Sequence, residues 1–232
     1  MRTGTTWLST LLDSHPSIDC GHELLHRMKY RGRAIDAKEY LDGCLFESSS
    51  APVRGFKVMY HQMRGPKSIS CYIFSHLFRE TYDCKVIHML RNKLDVYVSH
   101  CLGTQSKLWN ILPDKQSIVT KTGRIYNCGN ATFKDCVEKY NRPIVIDIKH
   151  LKMFYKKYAI WENKIKEIFP DHIEVHYEDL PNASNILQYL EVDDAPLQAG
   201  TQKLRQLSNE ELIINYDEVK SVIPNYSQET ST

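Results

Sequence analysis

The chain has 232 residues, 42% hydrophobic and 25% charged, which is enough for one sizeable core. Its formal net charge of +2 excludes nucleic-acid binding by bulk charge, though a local basic cluster can still hold an anion. No run of about 18 apolar residues occurs, so no segment reads as a membrane-spanning helix.

The first element follows directly on a glycine-threonine loop. In "MRTGTTWLSTLLDSHP", Trp7, Leu8, Leu11 and Leu12 fall on one face of a helix over 5–13, which His15-Pro16 stops. "SIDC" reads as a short strand ending near Gly21, and 36–46 as a weak helix. "GFKVMY" (55–60) is a predicted strand, and 67–80 is helical after Pro66. "CKVIHML" (84–90) is a near-continuous apolar run, as expected of a strand buried on both faces. A long helix follows over 92–109. Residues 113–130 are polar, with a hairpin expected around Thr122-Gly123. A strong amphipathic helix covers 147–169, "HIEVHY" (172–177) is a strand and 182–192 a helix. One last helix is expected over 208–223, opened by the capping-box pair Ser208 and Glu211. Strands alternating with helices imply βαβ units and a parallel sheet in a single domain, 1–232.

The seven cysteines (20, 44, 71, 84, 101, 128 and 136) form no CxxC pair and no cysteine-histidine cluster at zinc spacing, so no metal is expected. Their odd number argues against a fully paired disulfide framework. Three sequons, at Asn130, Asn182 and Asn225, would permit glycosylation in a secretory lumen.

Two constellations carry chemistry. Gly4 lets backbone N–H groups converge at the positive end of the first helix. Thr5 and Thr6 add hydroxyls, and Arg2 adds a fork-shaped cation. This combination suits a terminal phosphate, or is an ordinary helix start. The lysine of a GxxxxGK[ST] loop is absent, which disfavours triphosphate hydrolysis. Arg91 is the second signal. It ends the apolar strand, where open α/β sheets bind ligands. Ser99 follows eight residues later, and both can meet one anion only if the helix runs back past the strand end.

With these residues the sequence resembles the PAPS-dependent sulfotransferases, nearer the carbohydrate-type than the cytosolic members. "RTGTTWL" is similar to their 5′-phosphosulfate loop, "RNKLDVYVS" to their 3′-phosphate motif, and "VHYEDL" to a later strand-end segment. The resemblance implies an α/β fold with a P-loop-like central parallel sheet and helices on both faces. It implies that Arg2, Thr3, Gly4, Thr5 and Thr6 hold the 5′-phosphosulfate of PAPS, and that Arg91 and Ser99 bind its 3′-phosphate. Trp7 and Tyr177 would approach the adenine, or else pack in the core. Lys203 and Arg205 would close over the 3′-phosphate, or else be solvated surface charges.

Sulfuryl transfer from PAPS to a hydroxyl of a carbohydrate or small molecule needs a general base. The resemblance offers Glu23, in the carbohydrate-type layout, and His61, at the cytosolic-type position. Glu23 is the preferred base, with His22 and His26 beside it as surface or acceptor-site residues. Lys57 either helps the bridging oxygen or extends to solvent. Arg2 would stabilise the leaving phosphate. Residues 113–145 are the expected insertion near the acceptor site, and the oligomeric state is open. A P-loop kinase and an inactive nucleotide-binding relative are the alternatives. Family members place a buried strand directly before the phosphate loop, so a chain lacking that first strand is expected. Cytoplasmic residence is expected for the sequence as written, or the Golgi lumen if an anchor precedes it.

Overall fold

A computed structural model describes residues 3–21, 23–25, 37–47, 49–63, 73–109, 118–119, 125–126, 132–180, 182–201 and 203–223. Arg2, His22 and His26 lie outside these residues, as does most of 110–131.

Helix α1 (Thr5–Asp13) starts from Gly4, whose φ of 94° is left-handed backbone. It ends where His15 turns inward. His15, 1% exposed, accepts from the Ser17 N–H at Nδ1, so its Nε2–H donates to the Asp193 carbonyl at 2.9 Å. The chain then enters β1 (Ile18–Gly21), which pairs in parallel with β2 (Val53–Phe56). Between them lies α2 (Ala37–Leu45). The β2 strand lies earlier than the expected 55–60, because a strand extends only as far as its partner. Gly21, the end of β1, faces Phe56, and the chain beyond leaves the sheet for a 3-10 turn at Tyr60–Met63. The segment expected to be helical over 67–80 is described from residue 73 on, as a π-helix at Ile73–Thr81.

Strand β3 (Ile87–Leu90) leads into α3 (Lys93–Ser106), capped by the Asn92 side chain on the Leu94 and Asp95 N–H groups. The expected hairpin is present as β4 (Ile118–Val119) and β5 (Ile125–Tyr126), antiparallel. Helix α4 (Phe133–Tyr140), inside the expected insertion, was not anticipated. Its sequence signal is the capping box of Thr132 and Asp135. Helix α5 (Ile148–Ile168) leads into β6 (Ile173–His176), which pairs in parallel with β3. Helix α6 (Ser184–Tyr189) follows.

The single helix expected over 208–223 is two, α7 (Asn209–Leu212) and α8 (Tyr216–Val222). The break has a local cause. Ile213 pairs as a parallel bridge with Ile144, and the Asn215 side chain bonds both the N–H and the carbonyl of Ile146. Those bonds hold 213–215 out of helical geometry.

The chain is therefore α/β with parallel strand pairs. The side chains of β3 and β6 alternate. Met89 and Val175 share one buried cluster with Leu8, Leu11 and Leu12 of α1, with Ile18 and Cys20 of β1, and with Ile186 and Leu187 of α6. Thus α1 covers both strand pairs. On the opposite side, Tyr60, Leu77, Val96, Tyr158 and Ile165 form a second cluster. A third joins α3 and α4 to the C-terminal helices through Leu94, Val98, Tyr140 and Leu212. Among the described residues no helix is long and apolar enough to cross a membrane.

Candidate active site

The strand ends and the α1 N-terminus meet through Gly4, Tyr177 and Arg91. Tyr177 begins the 3-10 turn directly after β6. A Cβ added to Gly4 would lie 2.3 Å from Tyr177 Cδ2, so only glycine admits the ring there. Arg91, directly after β3, lays its guanidinium over the same ring, Cζ 4.2 Å from the centroid. A cation thus stands beside the loop at the parallel strand ends. The first-turn N–H groups of α1 have no partner inside the helix, and their capping residue has no side chain to offer. Uncapped donors beside a guanidinium suit an anion.

The second half of the site is a polar chain between the loop and the end of β1. Lys57 is not extended to solvent; its side chain is 10% exposed. Its Nζ donates to Thr6 Oγ1 at 2.7 Å and lies 3.2 Å from Glu23 Oε1. Gln62 Nε2 donates to Glu23 Oε2 at 3.1 Å, while Gln62 Oε1 accepts the Met59 N–H at 2.8 Å. Each carboxylate oxygen therefore has a donor, and the group is oriented. Sequence reasoning missed Gln62, whose signal is its place in the turn after β2, three residues beyond Met59. The Thr5 hydroxyl is directed at Met59 Sδ, 3.8 Å away.

The remaining expected residues are placed as follows. Thr3 is 5% exposed, and Trp7 packs against the buried cluster around α1. Ser99 is 5% exposed, its hydroxyl 2.9 Å from the Tyr140 phenol. That phenol donates to the Ser99 carbonyl at 3.1 Å, which ties α3 to α4. His61 lies in the turn Tyr60–Met63, its side chain outside the described residues. Lys203 is exposed. Arg205 is neither a solvated charge nor directed at a phosphate. It pairs with Asp95 at 2.8 Å and donates to the Leu207 carbonyl and Asn209 Oδ1, fastening the C-terminal segment to the first turn of α3.

Residues 1–169 match the family model of the sulfotransferase domain. The matched span includes the loop, Glu23, Lys57, Arg91 and Ser99, and stops before β6 and Tyr177. A comparison with curated proteins finds no match.

Proposed function

We infer, because the chain belongs to the sulfotransferase domain family, that it transfers the sulfuryl group of PAPS to a hydroxyl of a carbohydrate or small molecule, with Glu23 as general base. The observation that carries this reading is the placement of Lys57 Nζ between Thr6 Oγ1 and Glu23 Oε1. One ammonium joins the loop that would hold the donor phosphate to the carboxylate that would take the acceptor proton.

The described residues fit such a donor. The uncapped start of α1, with Gly4 fixed in left-handed geometry, suits the 5′-phosphosulfate. Arg91, with Ser99 as second candidate, suits the 3′-phosphate, and Tyr177 and Trp7 offer aromatic surface for the adenine. PAPS supplies a sulfuryl group whose S–O bond to the 5′-phosphate breaks as the acceptor oxygen bonds to sulfur.

Each residue then has a defined task. Glu23 Oε1 or Oε2 accepts the proton of the acceptor hydroxyl. Gln62 holds that carboxylate in place. Lys57 donates toward the oxygen on which negative charge develops, together with the α1 N–H groups and Arg2. Nothing in this chemistry calls for a metal at the loop.

Calorimetry tests the donor assignment. Tighter binding of 3′,5′-adenosine bisphosphate than of ATP is expected. The reverse order would favour a kinase and overturn the reading. An acceptor-class screen with labelled PAPS then identifies the hydroxyl; no transfer to any class beside intact bisphosphate binding would mark an inactive relative.

A further inference from the structure

We propose that His88, His172 and Glu174 form a binding site for one divalent transition metal of the Zn²⁺ type, clipping β3 to β6 on the face opposite α1. The site is separate from the transfer chemistry: His172 and Glu174 lie beyond the family match, and the candidate active site includes none of the three.

The backbone register brings the three residues together. His88 and Glu174 are direct partners in the parallel ladder of β3 and β6. His172 directly precedes β6, and its ring centroid lies 5.5 Å from that of His88. The ligand atoms of all three lie within 4.8 Å of one another. His88 Nδ1 and His172 Nε2 are each 3.6 Å from Glu174 Oε1. Two ligand atoms on a tetrahedral zinc, at about 2.0–2.1 Å each, stand roughly 3.3–3.5 Å apart. Small side-chain movements close the difference.

The hydrogen bonds orient both rings and fix the tautomer of His172. His172 Nδ1 faces the Phe169 carbonyl, which can only accept, so Nδ1 carries the proton and Nε2 keeps its lone pair. His88 Nε2 bonds the Tyr60 hydroxyl, leaving Nδ1 toward the carboxylate. Both inward nitrogens are buried without a hydrogen-bond partner. The His88 side chain is 4% exposed and that of His172 8%. The His172 Nε2 lone pair facing the carboxylate is an acceptor facing an acceptor, and a cation between them relieves it. A neutral imidazole is the form that ligates metals. The Phe169 carbonyl and the Tyr60 hydroxyl act as the outer partners that orient ligating histidines.

Two histidines and a carboxylate are a borderline-soft donor set suited to Zn²⁺ and Co²⁺. The Glu174 side chain, 34% exposed, marks the entry side and leaves the fourth position to water. Lys166 Nζ, 2.8 Å from Glu174 Oε1, is the competing cation, and it is 53% exposed and can swing away. The clip would sit three residues upstream of both Arg91 and Tyr177, about 10 Å along the strands, and so would brace the pair whose ends present them.

The test uses the full chain, stripped with chelator and titrated with Zn²⁺ against a chromogenic chelator, and with Co²⁺ by visible absorption. One metal per chain is expected, with a tetrahedral Co²⁺ spectrum and a melting temperature raised by Zn²⁺. Glu174→Gln, at a half-exposed position, is expected to weaken Zn²⁺ binding by at least about tenfold, the scale on which even outer partners of metal sites act. His150→Gln, at the exposed His150–Asp147 pair, is the control and is expected to bind as the parent does. Failure of the parent chain to take up one Zn²⁺ would overturn the proposal, as would unchanged affinity in Glu174→Gln. Binding of 3′,5′-adenosine bisphosphate, followed in the same samples, reports separately on the active site.

Discussion

Gly4 and Tyr177 are in contact so close that residue 4 has no room for a side chain: a Cβ there would meet Cδ2 at 2.3 Å and Cε2 at 2.7 Å. The contact joins the start of α1 to the end of β6, and Gly4 is also in left-handed backbone at φ 94°. Gly4→Ala thus carries two penalties. The backbone part alone costs roughly 1–2 kcal/mol, and the clash adds to it. A lower chemical-denaturation midpoint is expected. In Gly4→Ala/Tyr177→Ala the clash is gone and only the backbone part remains, so the two changes are expected to be non-additive. Strictly additive losses would contradict the contact.

Arg91 stacks on that same Tyr177 ring and is the cation proposed for the 3′-phosphate. Arg91→Ala is expected to weaken 3′,5′-adenosine bisphosphate by at least ~1.5 kcal/mol, the scale of a charge-assisted hydrogen bond. Adenosine 5′-phosphate should lose far less. Arg91→Lys should not restore the difference, because a stacked planar fork is not replaced by an ammonium. Equal losses for both nucleotides by calorimetry would remove Arg91 from the 3′-phosphate.

Ser99 and Tyr140 separate a structural role from a binding one. Their hydroxyls lie 2.9 Å apart in a buried setting. Tyr140→Phe is expected to cost about 1–3 kcal/mol of stability, because it removes the buried phenol hydroxyl that bonds Ser99. It should leave the preference for the 3′-phosphate intact. Ser99→Ala is expected to lower that preference as well. If both variants only shift the melt, Ser99 is a packing residue and Arg91 alone carries the subsite.

Lys57 bridges the loop and the base. Lys57→Met is expected to lower the maximal transfer rate by ~10²–10³, the loss typical of one donor to developing charge. The effect on bisphosphate affinity should be smaller. A change in affinity alone, at full turnover, would assign Lys57 to ground-state binding.

The elements with strong local signals were legible in the sequence. Helix α1 over 5–13 and the strand ending before Arg91 follow from apolar spacing and punctuation. What escaped depends on contacts distant in the chain. The break between α7 and α8 is made by Ile144 and Ile146, about 70 residues upstream of Ile213 and Asn215. The extent of β2 is set by where β1 stops. Lys57 could be read either way until its bond to Thr6 Oγ1, 51 residues away, was seen. Arg205 looked like any surface cation, since nothing near it in sequence announces Asp95, 110 residues upstream. His88 and His172 have no metal spacing in the sequence, and only the β3–β6 register makes them neighbours.

The most direct test of sulfuryl transfer with Glu23 as base is the turnover of Glu23→Gln on labelled PAPS, measured with the acceptor class found active for the parent chain. Glutamine is close in shape and its amide oxygen still accepts from Lys57, while its NH2 meets Gln62 Nε2 and gives up that one bond; a small loss of stability is expected, with bisphosphate affinity nearly unchanged. Turnover should fall by ~10²–10⁴, the range of a lost general base. Full turnover in Glu23→Gln, with the loss appearing instead in His61→Ala, would contradict the account and move the base to the turn after β2.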